Sequence, residues 1–190
     1  MTWGPGGVIA AAWIAVGVVW LIGSLAMKAT VRRQSALTRL LDSAPVIAAF
    51  VLLRTNPGLN ERLAVRFVPG SVGWQVLGAI VTVAGVAVAI WARFYLGRNW
   101  SSSVTVKQNH QLIRSGPYRV VRHPIYSGFL LAIFGTAIYA GEVRGLLALA
   151  IVMVGWKIKS LREEAFMEDQ FGEQYVQYRR EVKGLVPFVW

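Results

Sequence analysis

Long apolar runs alternate along the chain with short basic segments. No charged side chain occurs from Met1 to Met27, from Ser71 to Ala92, or from Pro124 to Gly141. Each run is close to the roughly 20 residues that an α-helix needs to cross about 30 Å of hydrocarbon. The pattern therefore predicts three membrane-spanning helices.

Two weaker apolar segments extend this count. Ala44 to Leu53 is short, although leucines at 37, 40 and 41 lengthen it toward the N-terminus. Gly145 to Trp156 is also short, and Lys157 and Lys159 can extend their charged ends toward the interface. We predict an all-α integral membrane protein with about five spans, near residues 6–27, 38–54, 72–93, 124–141 and 144–160. A tilted or re-entrant second segment is the alternative.

Composition and charge placement agree with a membrane protein. Hydrophobic residues make up 55% of the chain and charged residues 15%, and the mean hydropathy is +0.50, whereas soluble domains carry about 25% charged residues. Five spans leave only Arg54, Arg62, Arg66 and Arg144 of the 20 basic residues on one side. The positive-inside rule then predicts an external N-terminus and a cytoplasmic C-terminus in the inner (plasma) membrane.

The same composition excludes several classes of chemistry. A net charge of +11 is explained by basic loops that face anionic lipid, so no nucleic-acid partner is expected. The chain has no cysteine, which excludes disulfides and thiolate catalysis. Its two histidines alone make a metal site improbable.

The two halves of the single domain, residues 1–190, differ in their polar content. Residues 1–92 resemble a scaffold of Ala-, Val- and Gly-rich spans. Residues 93–190 carry a long cytoplasmic loop and an acid-containing tail, so we assign the chemistry to them. In the tail, Phe171, Tyr175, Tyr178 and Val182 recur at helical spacing, and Gly172 is a candidate break in this helix. This stripe fits either a helix on the membrane surface or a cover that folds back over the loop and closes a pocket.

The segment RHPIY joins the loop to the fourth predicted span. Pro124 suits the first position of a helix, where its missing N–H is no loss, and His123 would then be the N-cap. The positive end of the helix favours an anionic group such as a carboxylate or phosphate. The alternative is an interfacial belt in which Arg122, His123 and Tyr126 only anchor the helix.

A pair of carboxylates, Glu163 and Glu164, follows the last predicted span. Adjacent helical residues diverge by about 100°, so the two are not expected to share one point of contact. One could meet a ligand's ammonium or hydroxyl groups while the other pairs with an arginine. A solvated charge cluster is the alternative.

These elements occur together in one order, which carries more information than each alone. Asn109-His110-Gln111-Leu112 is followed by Gly116-Pro117-Tyr118, then by Arg122-His123-Pro124-x-Tyr126, Glu163-Glu164, Phe171-Gly172-x-x-Tyr175-x-x-Tyr178 and Pro187-Phe188. Over about residues 93–190 this pattern resembles the isoprenylcysteine carboxyl methyltransferases and the related phospholipid methyltransferases, in their compact prokaryotic form.

The resemblance implies an S-adenosylmethionine-dependent methyltransferase acting on a lipophilic acceptor that enters from the bilayer. It implies a cofactor site formed by Gln111, Leu112, Tyr118, His123, Pro124, Tyr126, Glu164, Tyr175 and Tyr178. For a carboxylate acceptor, Arg162 with Arg122 or Lys159 would hold the nucleophile, which needs alignment more than a base. For an amine acceptor, His123 or Glu163 would remove a proton.

Three other functions remain as alternatives to carboxyl O-methylation of an isoprenylcysteine-like or other hydrophobic small molecule. The first is phospholipid N-methylation. The second is an NADPH-dependent enzyme like the membrane sterol reductases, which share an RHPxY-like element but are generally longer. The third is a non-enzymatic membrane adaptor. The paired Glu163 and Glu164 favour a methyltransferase over a reductase.

Overall fold

The computed structural model describes residues 4–25, 36–53, 63–97 and 112–187. Their helices are α1 (Pro5–Leu25), α2 (Ala36–Leu53), α3 (Val72–Leu96), α4 (Pro124–Ala140), α5 (Val143–Phe171) and α6 (Glu173–Glu181), with a 3₁₀ turn at Gly116–Arg119 before α4. Within these ranges the chain forms no strand, only two isolated β-bridges. The predicted all-helical architecture is therefore confirmed for the described residues.

The helices begin and end close to the five predicted spans, with one difference. The fifth segment does not stop near residue 160, because α5 continues to Phe171. Two helices are long and apolar enough to cross a membrane by themselves, Pro5–Ser24 with mean hydropathy 2.1 and Val72–Leu96 with 2.0. The apolar parts of α2 and α4 are shorter, at Leu40–Leu53 and Pro124–Ala140.

The centre of the molecule is an antiparallel pair, α3 and α4, that packs through glycines. Gly78 and Gly85 of α3 meet Gly135 and Gly128 of α4. A Cβ added at Gly128 would lie 2.5 Å from the Ala89 nitrogen, and one at Gly78 would lie 2.5 Å from the Tyr139 nitrogen. The backbones can approach this closely only because both helices place small residues at the crossing.

The other helices surround this pair. On one side α1 packs on α3 and α4, and its Trp13 donates a hydrogen bond to Thr136 at 3.2 Å. On the other side α5 packs on α4 and α2 packs on α5, where Pro45 of α2 covers Gly155. Large apolar side chains on the outer faces remain exposed, for example Ile14 at 66% and Ile80 at 61%. Such continuous apolar exposure suits contact with lipid.

One end of the bundle carries the polar residues of interest. Gly172, with φ +53°, separates α5 from α6, as its position in the sequence suggested, because this backbone conformation favours glycine. After the break, α6 returns toward the start of α4, and Val121 forms a parallel bridge with Lys183. We call residues 172–187 the C-terminal strap.

Candidate active site

The site forms where the loop segment enters α4. Pro124 is the first residue of α4 and His123 its N-cap, as predicted. The preceding 3₁₀ turn at Gly116–Arg119 buries Pro117 and Tyr118. The residues before Pro124 are therefore held in a fixed position under the helix end.

The last turns of α5 bring both glutamates to this helix end. Glu164 Oε1 accepts a hydrogen bond from His123 Nε2 at 3.0 Å, and Glu163 Oε2 lies 3.5 Å from His123 Nδ1. Glu163 Oε1 also accepts a hydrogen bond from the Tyr126 hydroxyl at 2.6 Å. The two carboxylates thus diverge, as adjacent helical residues must, yet they meet the two nitrogens of one imidazole ring. We call Arg122, His123, Tyr126, Glu163 and Glu164 the polar cluster.

Arg122 connects the polar cluster to the C-terminal strap. Its Nε and Nη2 donate to Glu164 Oε1 at 3.0 and 2.8 Å. Its Nη1 donates to the carbonyl oxygen of Arg179 at 3.1 Å and to that of Val182. The side chain is only 10% exposed, so its three donor nitrogens are all engaged inside the protein.

The strap itself is bonded to the chain on both sides of Pro124. The backbone N–H groups of Arg122 and His123 donate to Lys183 and Gly184 carbonyls at 2.8 and 3.0 Å. The Ser127 hydroxyl donates to the Leu185 carbonyl at 2.5 Å. Of the two alternatives for the aromatic stripe, the observed packing matches the cover that folds back.

Three tyrosines from the predicted cofactor set pack together where the strap meets the 3₁₀ turn. Tyr118, Tyr175 and Tyr178 are 7%, 2% and 3% exposed. The Tyr178 hydroxyl donates to the Tyr118 carbonyl oxygen at 2.5 Å, and the Tyr175 and Tyr178 rings meet edge to face. Burial raises the pKa of all three phenols above the ordinary value, so each stays neutral and can donate a hydrogen bond.

Electrostatics favour the charged forms of the central groups of the polar cluster. Burial alone would lower the pKa of His123, but the bonded glutamates raise it above the ordinary value. Burial alone would raise the pKa of Glu164, but His123 and Arg122 lower it to about 2. Burial likewise opposes ionisation of Glu163, and its bond with His123 is the main reason that its pKa is nevertheless lowered. In these charged forms, two cations and two carboxylates neutralise each other in a water-poor site.

An aromatic column leads from the polar cluster into the apolar core. The Tyr126 ring stacks on His123 at 5.6 Å and on Trp156 at 5.2 Å between centroids. Phe129 follows at 5.7 Å from Trp156 and stacks on Trp13 of α1 at 6.2 Å. The column joins the charged end of the site to side chains in the apolar core.

Not every predicted site residue joins this arrangement. Arg162 is adjacent to Glu163 in sequence but bonds to Asp42 of α2 at 2.5 Å and is 40% exposed. It therefore lies outside the polar cluster, because one position along a helix turns a side chain by about 100°. Leu112 lies half-buried before the 3₁₀ turn, and Gln111 lies outside the described residues.

Several residues at the site were absent from the predicted set. Trp156 and Ser160 are buried along α5 at a spacing of four that leads to the predicted Glu164, so helical periodicity continued past the apolar segment could have indicated the buried face. Ser127, one turn after His123, gave no signal in the sequence. Its partner Leu185 lies 58 residues away.

Comparison with known families and proteins identifies related chains. The family model described as phospholipid methyltransferase matches residues 74–174. Protein-S-isoprenylcysteine O-methyltransferase B of Arabidopsis thaliana is 28% identical over 166 residues, which cover 84% of this chain and 76% of that protein. Methanethiol S-methyltransferase of Mycobacterium tuberculosis is 32% identical over 143 residues, covering 60% of this chain and 56% of its own length.

A solved structure supports the fold. The eukaryotic intramembrane Ras methyltransferase, an isoprenylcysteine carboxyl methyltransferase, superimposes with a TM-score of 0.50 and 21% sequence identity. The match covers 84% of this chain and 55% of that protein. At this identity the likeness concerns the helical architecture and not the identity of any ligand.

Proposed function

The chain belongs to the phospholipid methyltransferase family and is a membrane methyltransferase, and from that premise we propose that it transfers a methyl group from S-adenosylmethionine to a lipophilic acceptor. The observation that carries this proposal is the polar cluster at the start of α4, covered by the C-terminal strap. S-adenosylmethionine supplies an electrophilic methyl group on a sulfonium sulfur. The remaining chemistry is binding, alignment and exclusion of water by the residues of this chain.

Glu164 fits the positively charged part of the donor. Within the described residues, its hydrogen bonds from Arg122 and His123 all end on Oε1. Oε2 is then the oxygen that can accept a bond from a ligand ammonium or hydroxyl group. Because the carboxylate is already ionised and held on one side, little reorganisation is needed when a ligand arrives.

The other predicted cofactor residues support the remaining parts of the same ligand. The N-terminal end of α4, after Pro124, favours the carboxylate of the donor. The faces of buried aromatic rings, Tyr118, Tyr126, Tyr175 and Tyr178, favour a sulfonium cation. Gln111 and Leu112 complete the proposed set from the loop side.

For the acceptor we propose a carboxylate on a hydrophobic molecule, such as an isoprenylcysteine-like compound, that enters laterally from the bilayer. The aromatic column below Tyr126 offers an apolar path beside the polar cluster. Arg162 would hold the acceptor carboxylate after releasing Asp42, and Lys159, whose ammonium lies 5.6 Å from the Tyr126 ring centre, is the alternative. Of the other proposed catalytic residues, Glu163 would serve as the base for an acceptor that must lose a proton.

We also propose the complete topology. Five spans, corresponding to α1 to α4 and the first part of α5, place the polar cluster at the cytoplasmic interface of the plasma membrane. The N-terminus is then external and the C-terminus cytoplasmic. The segment at residues 63–70, which bridges to the α4–α5 turn through Arg66 and Glu142, lies on the external side.

Labelled methyl transfer in detergent tests the function directly. The purified chain is incubated with methyl-labelled S-adenosylmethionine and, separately, a small farnesylated cysteine, phosphatidylethanolamine and an alkane thiol. We expect a base-labile methyl ester on the farnesylated cysteine. Label only in a base-stable product on phosphatidylethanolamine would support N-methylation instead, and label only on the thiol would support S-methylation.

A binding measurement separates the donor from the acceptor. Calorimetry in detergent should show binding of S-adenosylmethionine and none of NADPH. Binding of NADPH alone would favour a reductase. Binding of neither, with no transfer to any acceptor, would contradict the proposed use of this donor.

A further inference from the structure

Arg122 is the place where the C-terminal strap and the candidate donor carboxylate meet. On one side its Nε and Nη2 hold Glu164 Oε1. On the other side its Nη1 holds the carbonyls of Arg179 and Val182, at the end of α6. These partners belong to α5 and to the strap, so one planar guanidinium joins two separate elements.

The geometry gives Arg122 a role different from that of an acceptor ligand. A guanidinium that binds an acceptor carboxylate needs free N–H groups in a two-point arrangement. All three nitrogens of Arg122 already donate to protein oxygens, and the side chain is 10% exposed. A lysine could not reproduce these contacts, because its single ammonium lacks the planar fork.

We propose that Arg122 is a positioning residue that couples closure of the C-terminal strap to occupation of Glu164 by the methyl donor. With Arg122 in place, the strap holds the guanidinium, and the guanidinium holds Glu164 with Oε2 available. A donor cation on Oε2 then fixes Glu164, Arg122 and the strap together. This inference rests on the proposed donor site and adds its coupling to the strap.

Neighbouring contacts allow the strap to be loosened without touching the polar cluster's charges. The Ser127 hydroxyl holds the Leu185 carbonyl and also lies 3.2 Å from the His123 carbonyl oxygen, one turn earlier, so Ser127→Ala removes a strap contact and no charged group. Arg114 also pairs with the strap, through Glu181 at 2.6 Å, but both partners are at least a third exposed. Since exposed pairs contribute little, Arg114→Gln is the matched control for the loss of an arginine.

Limited trypsin digestion of the full chain in detergent measures closure of the strap. The strap contains three basic cleavage positions, Arg179, Arg180 and Lys183, and mass analysis identifies cleavage after each. Loss of a buried charged hydrogen bond should raise the population of the open strap by about tenfold or more. We expect this increase in cleavage rate for Arg122→Ala, a smaller one for Ser127→Ala, and little change for Arg114→Gln.

The coupling is tested by adding S-adenosylmethionine to each variant. The donor should slow strap cleavage in the wild type and in Arg114→Gln but not in Arg122→Ala or Arg122→Lys. Because coupling is reciprocal, a donor that favours the closed strap binds the open form less tightly, so Ser127→Ala should weaken donor binding. The apparent KM for the acceptor at saturating donor should stay near the wild-type value.

Each result bears on the proposal in a defined way. If Arg122→Ala does not fold, Arg122→Lys and Ser127→Ala provide the same comparison. Unchanged strap cleavage in Arg122→Lys would overturn the proposal that the hydrogen bonds of Arg122 hold the strap closed. Donor protection that persists in Arg122→Lys would overturn the coupling. If the wild type binds no S-adenosylmethionine, the proposal of this donor is wrong. The cleavage rates without ligand still test whether Arg122 holds the strap closed.

Discussion

The α3–α4 contact and the polar cluster are both buried, but different kinds of interaction hold them together. At the contact, glycines remove side chains so that two backbones touch. At the polar cluster, long charged side chains reach across a wider gap and neutralise one another. Close packing through glycines is required where lipid provides no driving force for burying apolar groups. Pairing of charged side chains is possible only near the interface, where other charged groups and the backbone carbonyls of the strap can serve as partners.

This difference has a consequence for function. Close backbone contact tolerates no added atom, which makes the α3–α4 pair a fixed platform for the start of α4. The polar cluster depends on side chains whose partners can change, so a ligand can replace one contact with another. A rigid α3–α4 pair that supports a cluster of exchangeable charged contacts is what a site for a charged cofactor needs.

A bulky substitution at the glycine contact should have the largest effect. In Gly78→Leu, the added Cβ would meet the Tyr139 backbone, so the helices must separate at a cost of at least about 3 kcal/mol. We expect loss of the monodisperse protein on gel filtration in detergent. Gly17→Leu is the control, since nothing lies within 4 Å of a Cβ there. Equal behaviour of the two variants would contradict the rigid-platform interpretation.

Neutralising the central carboxylate should affect binding more than folding. Glu164→Gln removes the charge that His123 and Arg122 share, and charged hydrogen bonds contribute about 1.5–3 kcal/mol. We expect S-adenosylmethionine to bind about 10- to 100-fold more weakly by calorimetry. Glu168→Gln, one turn further and exposed beside Arg179, should bind normally. An unchanged Kd in Glu164→Gln would remove this residue from the proposed donor site.

The charged cluster should also make stability depend on pH, unlike the glycine contact. The folded pKa of Glu164, about 2, is below its ordinary 4.5, so its contribution is complete above about pH 4.5 and is lost as pH falls toward 2. The folded pKa of His123 is above its ordinary 6.5, so its contribution is complete below pH 6.5 and is lost as pH rises through the folded value.

The alkaline limb can be assigned to His123 by substitution. The Tm of the wild type should decrease by a few degrees on the alkaline side, at about 2–4 °C per kcal/mol for a chain of this size. His123→Gln should have a lower maximum and a flatter alkaline limb. Parallel curves for the two proteins would show that another group titrates.

The smallest expected effect concerns a single neutral hydrogen bond between the strap and the 3₁₀ turn. Tyr178→Phe removes the bond to the Tyr118 carbonyl and should lower the free energy of unfolding by about 0.5–1.5 kcal/mol. Tyr175→Phe is the matched control, because its hydroxyl makes no hydrogen bond within the described part of the chain. A larger loss in Tyr175→Phe than in Tyr178→Phe would contradict this assignment of contacts.

Much of the local structure could be predicted from the sequence by itself. The apolar runs marked the helices, Pro124 marked the start of α4, and Gly172 marked the break before α6. These features depend on length, periodicity and backbone preferences, which involve near neighbours only. The order of the motifs also indicated the methyltransferase family, because the order of the motifs and the distances between them along the chain can be read directly from the sequence.

Only the tertiary structure decided which side chains meet. Glu163 and Glu164 both reach His123, about 40 residues earlier, while Arg162 between them and the span turns to Asp42, 120 residues away. A rotation of about 100° per residue separates these outcomes, and the packing of α5 between α2 and α4 sets that rotation. For the same reason Arg122, which the sequence offered as an acceptor ligand, is engaged by Glu164 and the strap carbonyls. Contacts between distant segments depend on how helices pack, which no local pattern records.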